Sequence, residues 1–108
     1  MADQDVNQQR RDLAPDTERA FFAFNEKVFA DGALPSKLKQ IIAVAVAHVT
    51  QCPHCIQGHT KAALRHGATP HELMEAIWVA AEMRAGAAFA HSVLAMNAIA
   101  SPQNKTAT

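Results

Sequence analysis

Two cysteines and two histidines fall within eight positions of this 108-residue chain, in Cys52-Pro53-His54-Cys55-Ile56-Gln57-Gly58-His59. They are both of its cysteines and two of its six histidines. A Cys-x-x-Cys pair holds two sulfurs near enough to close a short disulfide, and it lowers the pKa of the reacting thiol. Pro53 suits the first position of a helix, where its missing N–H would be an orphan anyway. Cys52 then stands at that helix's N-terminus, where the dipole favours a thiolate. Cys55 and His59, four apart, share a face, so the imidazole can reach the sulfur. A neutral imidazole beside a thiol takes its proton near neutral pH, and the imidazolium left behind stabilises the thiolate. This is the constellation of a redox site.

Blander chemistries use the same residues. His59 can be a surface histidine of an amphipathic helix, and His54 either tunes the sulfurs electrostatically or faces water. Cys52, Cys55, His54 and His59 could supply four zinc donors, yet one short segment rarely wraps a tetrahedral ion. Inert buried thiols are the third alternative. The expectation is a redox dithiol with no metal and no bound cofactor. His48 precedes the break between helices, so its place relative to the sulfurs depends on the helix–helix angle. His66, His71 and His91 read as caps, surface or packing residues.

The elements around the dithiol all read as helices. Residues 1–12 are polar with almost nothing to bury, and are expected to be a disordered tail. From Pro15 the pattern turns helical: Phe21, Phe24 and Val28 form a stripe that Phe22 and Phe29 widen, ending at Asp31-Gly32. These phenylalanines read as core and interface packing. Ser36 is the expected N-cap of a second helix, Lys37 to about Thr50. Its middle, Ile41 to Ala47, is apolar on every side, which points to subunit contacts. A buried strand would also tolerate the Ile and Val there, but the helical neighbours and the alanines favour helix. The third helix begins at Pro53 and stops at Gly67, a natural C′ residue. Thr69-Pro70-His71-Glu72 is a capping box opening a fourth, with Leu73, Ile77 and Ala80 on one face and Met74, Trp78 and Ala81 beside them. Gly86 is expected to mark a break or a close helix crossing, before a fifth helix with Phe89, Val93 and Met96. The stretch 101–108 is a polar tail. The expected fold class is all-α: a compact bundle of about five helices in one domain, residues 13–100.

Charge and hydropathy exclude several classes. Ten basic and ten acidic side chains balance, without the basic footprint of a nucleic-acid binder. The longest apolar run, Ile41 to Ala47, is too short to cross a bilayer, and residues 1–12 lack the apolar region of a secretion signal. A cytoplasmic protein is the expectation, and there a Cys-x-x-Cys is catalytic or metal-binding more often than structural.

From Leu34 to about Ala100 the sequence resembles the AhpD-like alkyl hydroperoxidase group of the carboxymuconolactone decarboxylase superfamily. The matching text is Lys37-Leu38-Lys39-Gln40-Ile41-Ile42-Ala43, then Cys52-Pro53-His54-Cys55 with His59, then Gly67-Ala68-Thr69. The group's hallmark is Glu, eleven residues, Cys-x-x-Cys, three residues, His; Cys52, Cys55 and His59 match it. The resemblance implies an all-helical homotrimer or homohexamer that reduces hydroperoxides through a disulfide intermediate. A lipoyl-type partner or another external thiol would supply electrons. It also implies that Cys55 attacks the peroxide, whereas the dipole favours Cys52 as the thiolate. The decarboxylase branch is a weaker match, because its chemistry does not rest on a Cys-x-x-Cys pair.

Gln40 stands where the hallmark has its carboxylate. An amide can hold a hydrogen bond but cannot exchange a proton near neutral pH, and it brings no negative charge to the imidazole. Loss of a general acid–base group typically costs about 10²–10⁴ in rate. Glu72, Glu75 and Glu82 are the candidates for a replacement. Two further functions therefore stand beside the peroxidase. One is a general disulfide reductase or redox sensor with weak peroxidase activity; the other is a non-enzymatic helical assembly or metal-binding module.

Overall fold

The structure of the protein, a computed structural model, describes residues 2–101. These residues form six helices: α1 (Ala2–Leu13), α2 (Pro15–Phe29), α3 (Ser36–Thr50), α4 (Pro53–Arg65), α5 (Pro70–Ala90) and α6 (Ser92–Ala100). Among the described residues there is no strand, and no helix is long and apolar enough to cross a membrane. The all-α expectation is met. Residues 102–108, most of the expected polar tail, lie outside the described residues, as does Met1.

The core lies where α3, α4 and α5 meet. Val44 and Ala63 are fully buried, Ala68 and Leu73 join them, and Ile41 and Ile77 pack against the cluster. Ion pairing of Lys37 with Glu72 at 3.1 Å ties the start of α3 to the start of α5. At the other end, Arg84 Nη1 donates to the Val49 carbonyl at 2.6 Å, satisfying an orphan acceptor of the last turn of α3. Local signals set the helix ends. Gly67, at φ +94°, closes α4 in a Schellman arrangement, with Ala68 N–H on the Ala63 carbonyl and Gly67 N–H on that of Leu64. At the start of α5 the capping box forms as its residues foretell: Glu72 N–H donates to Thr69 Oγ1 at 3.1 Å and Thr69 N–H to Glu72 Oε1 at 2.9 Å.

Several local expectations change. Residues 1–12 were expected as a disordered tail; residues 2–13 form α1, exposed from Asp5 to Leu13. Side-chain bonds one turn apart, Gln8 to Asp12 and Arg10 to Asn7, support such a polar helix. Ser36 is not an N-cap but the first residue of α3; Pro35 stands at the N-cap position, without a side-chain cap. Its hydroxyl donates to the Phe29 carbonyl at 2.7 Å, and its N–H to Asp31 Oδ1 at 2.6 Å. Correspondingly α2 ends at Phe29, with Ala30 extended, and does not run on to a left-handed Gly32. Gly86 neither breaks α5 nor marks a crossing. A Cβ there would meet only Glu82 of the same helix, and the turn comes at His91. With α1, this accounts for six helices against about five.

The helices are spread more widely than a closed bundle. The radius of gyration is 20.4 Å, where a compact domain of this size has about 13 Å. Neither α2 nor α6 contains a buried residue.

Candidate active site: a dithiol beside an anchored histidine

The turn between α3 and α4 delivers the first sulfur. Gln51 ends α3 in the left-handed region at φ 59°, and both it and Cys52 donate to the Ala47 carbonyl. Such a conformation costs a non-glycine residue about 1–2 kcal/mol. It reverses the chain so that Cys52, in an extended conformation, becomes the N-cap of α4, with Pro53 at the first helical position. Cys52 Sγ accepts the Cys55 N–H at 3.3 Å. Both thiols are free and half-buried. Their proton affinities diverge. Cys52 is held below the ordinary thiol range first by the Cys55 S–H, then by the Cys55 N–H, with a smaller contribution from the His54 N–H. Cys55 is pushed up, chiefly because it donates to Cys52, then by desolvation and by the charge on Cys52. In this dithiol, Cys52 is the more acidic sulfur and Cys55 the thiol that supports it.

One helical turn further along α4, His59 is half-buried and anchored from two sides. Its Nδ1 lies 2.7 Å from Gln40 Oε1, on α3. Gln40 is buried at 7% exposure, the polar side chain among the core-facing residues of α3. With the amide oxygen turned to the ring, Nδ1 carries a hydrogen and donates it, and in the neutral ring the lone pair is then on Nε2. Phe29, the last residue of α2, stacks on the imidazole with ring centroids 5.1 Å apart and planes 29° from parallel.

The structure thus brings Gln40 and His59 together across nineteen positions of sequence. His59 shares the helix of Cys55 but forms no hydrogen bond to it among the described residues. His54 is exposed beside Val6, Asn7 and Arg10 of α1, and its backbone serves Cys52. His48 bonds back to the Val44 carbonyl of its own helix at 2.8 Å. His66 caps α4, His71 is exposed in the first turn of α5, and His91 joins α5 to α6. No replacement carboxylate pairs with His59 among the described residues. Glu72 is committed to Thr69 and Lys37, and Glu75 and Glu82 are exposed. Nor do three or more His, Cys, Asp or Glu side chains converge as a zinc site requires, among the described residues. Phe29 is the site residue that sequence reasoning missed. It lies thirty positions from His59, beside the stripe of Phe21, Phe24 and Val28, and no spacing rule links it to the imidazole.

An all-helical domain carrying a Cys-x-x-Cys and a histidine on its central helix defines the class, and the comparison with known proteins gives the family. The model of the carboxymuconolactone decarboxylase family matches residues 15–98, and the chain belongs to that family. It is 70% identical over 73 residues to "uncharacterized protein 4 in cox locus" of Paracoccus denitrificans, which covers 68% of this chain and 66% of that one. The chain therefore spans just under two thirds of that relative's length. Among solved structures it is similar to a protein of Methanobacterium thermoautotrophicum, with 35% identity and a TM-score of 0.72 over 77% of this chain and 93% of the other. A carboxymuconolactone decarboxylase family protein of Legionella pneumophila follows, with 34% identity and a TM-score of 0.67 over 74% of each.

Proposed function

We propose that the protein is an AhpD-like thiol peroxidase, an alkyl hydroperoxide reductase working through a dithiol–disulfide cycle. The observation that carries this is the asymmetry of the dithiol: Cys52 Sγ, at a helix N-terminus, accepts the Cys55 N–H and has its pKa lowered, while that of Cys55 is raised. Cys52 gives its proton to Nε2 of His59, and the thiolate attacks the outer oxygen of a hydroperoxide. The O–O bond breaks, the alkoxide leaves with the proton from His59, and Cys52 becomes a sulfenic acid. Cys55 sulfur then attacks Cys52 sulfur, and the hydroxyl departs with the Cys55 proton as water. Hydroperoxide and dithiol become alcohol, water and disulfide. An external thiol or a lipoyl-type donor restores the dithiol by exchange. Attack by Cys52 reverses the order that the family resemblance implies, because the helix terminus and the bond from Cys55 both favour the Cys52 thiolate.

Gln40 favours a second function. Its amide holds His59 but carries no exchangeable proton, which suits a disulfide reductase or redox sensor with weak peroxidase activity. In either case we propose a cytoplasmic homotrimer or homohexamer; the exposed Trp78, Leu94 and Ile99 of α5 and α6 support self-association.

Intact mass of the reduced protein before and after brief exposure to an organic hydroperoxide tests the cycle. Loss of two hydrogens, abolished in Cys52→Ser and in Cys55→Ser, supports the cycle. An unchanged mass, or a retained metal ion without oxidation, overturns it. Peroxide turnover against reduction of a model disulfide then separates the peroxidase from the reductase.

A further inference from the structure

We propose that Phe29 is the positioning residue for His59, and that the turn after α2 exists to hold its ring in place. A single hydrogen bond from Nδ1 to Gln40 fixes one point of the imidazole but leaves the ring free to tilt about that point. The stacked Phe29 ring removes that freedom, because an offset aromatic pair has a preferred separation and plane. The rest of α2 makes the placement informative. Among its residues only Glu18 and Phe29 are half-buried and the rest are exposed, so α2 contributes little to the core and touches the site through its last side chain.

The segment behind that side chain is tied to α3 by three bonds. Ser36 Oγ donates to the Phe29 carbonyl at 2.7 Å, Lys39 Nζ to the Ala30 carbonyl at 2.7 Å, and Ser36 N–H to Asp31 Oδ1 at 2.6 Å. All three donors sit in the first turn of α3, next to Gln40. The amide that holds the ring edge and the phenyl that covers the ring face thus belong to one tethered unit. Phe29 also borders an apolar groove that it lines together with Val28, Lys39, Ile42, Ala43 and Val46. Stacking on the imidazole is therefore not forced by a lack of apolar partners.

Any effect on turnover rests on the peroxidase function proposed above; the ring geometry does not, and the experiment separates the two. In the wild-type protein, nuclear Overhauser contacts between the Phe29 and His59 rings are expected, with 15N shifts of the imidazole reporting a hydrogen on Nδ1. Their absence overturns the proposal without recourse to any variant. Phe29→Leu keeps apolar bulk but removes the aromatic face, while Phe29→Tyr restores it. For Phe29→Leu we expect a mixed His59 tautomer population and disulfide formation by hydroperoxide slowed about 2- to 13-fold, the range of an aromatic pair's coupling. Phe29→Tyr is expected to recover both. A Phe29→Leu protein with wild-type imidazole shifts overturns the positioning role, whatever its rate. Altered shifts with unchanged rate leave Phe29 positioning the ring and count against His59 as the base.

Discussion

The inner helices α3, α4 and α5 and the outer helices α2 and α6 obey opposite rules, although both are rich in apolar residues. Inside, small side chains such as Val44, Ala47, Ala62, Ala63 and Ala80 are buried, and among the described residues every buried side-chain nitrogen and oxygen has a partner. Outside, large side chains stand in the open: Phe24 is 64% exposed, Leu94 63% and Ile99 65%. The inner set fixes a site, since Gln40, Cys52, Cys55 and His59 all lie on α3, on α4 or at their junction. The outer set is an exposed apolar surface, and among the described residues it meets the chemistry through Phe29. Apolar content alone therefore does not reveal where the core is; side-chain size and partnering do.

Substitutions at the two sulfurs give the largest expected effect and sharpen the inner side of that comparison. Cys52→Ser abolishes peroxide-driven oxidation, whereas Cys55→Ser halts at a sulfenic acid on Cys52, seen as one added oxygen by mass. The same oxygen on Cys55 in the Cys52→Ser protein would restore the reverse order of attack. Next comes Gln40→Glu, which supplies the missing carboxylate beside His59 and is expected to raise peroxide turnover, by up to about 10²-fold. Unchanged turnover across pH would remove the relay from the mechanism.

Stability tests set the two regions against each other directly. Leu73, 6% exposed, is expected to cost about 2–5 kcal/mol on truncation to Ala, read by denaturant unfolding. Leu94→Lys is expected to change the unfolding of the separate chain by less than about 0.5 kcal/mol. It is expected instead to lower the mass seen by sedimentation. Equal losses of stability at both positions would erase the distinction.

The smallest effect is one of pH. Asp31 is held below the usual carboxylate range by the Ser36 N–H, so its contribution is complete above that range and is lost as pH falls through the lowered value. Acid is then expected to loosen the turn behind Phe29 before the core unfolds, with faster amide exchange at Ser36, and Asp31→Asn to remove that pH dependence. For the sulfurs the sign is opposite in use: raising pH exposes the Cys52 thiolate before that of Cys55, so alkylation labels Cys52 ahead of Cys55.

Much of the scaffold was legible because its signals are local. Pro53 after Cys52, Gly67 after α4, and Thr69 with Glu72 each act within one turn of helix, and each does what its residue type dictates. Where legibility failed, a residue had been assigned a local role that a distant partner took over. Ser36 reads as an N-cap, yet its hydroxyl finds the Phe29 carbonyl seven positions back. Gly86 reads as a breaker, yet the flanking alanines carry the helix through it.

By itself the sequence determined an all-helical chain, the helix start that makes Cys52 an N-cap, and a histidine one turn beyond Cys55. These follow from backbone geometry and spacing within a single element. Only the tertiary structure decided that Gln40 binds His59 Nδ1 and that Phe29 covers the imidazole. Those depend on how α2 and α3 lie against α4. Distances of that kind are set by packing between helices, which no pattern along one helix encodes.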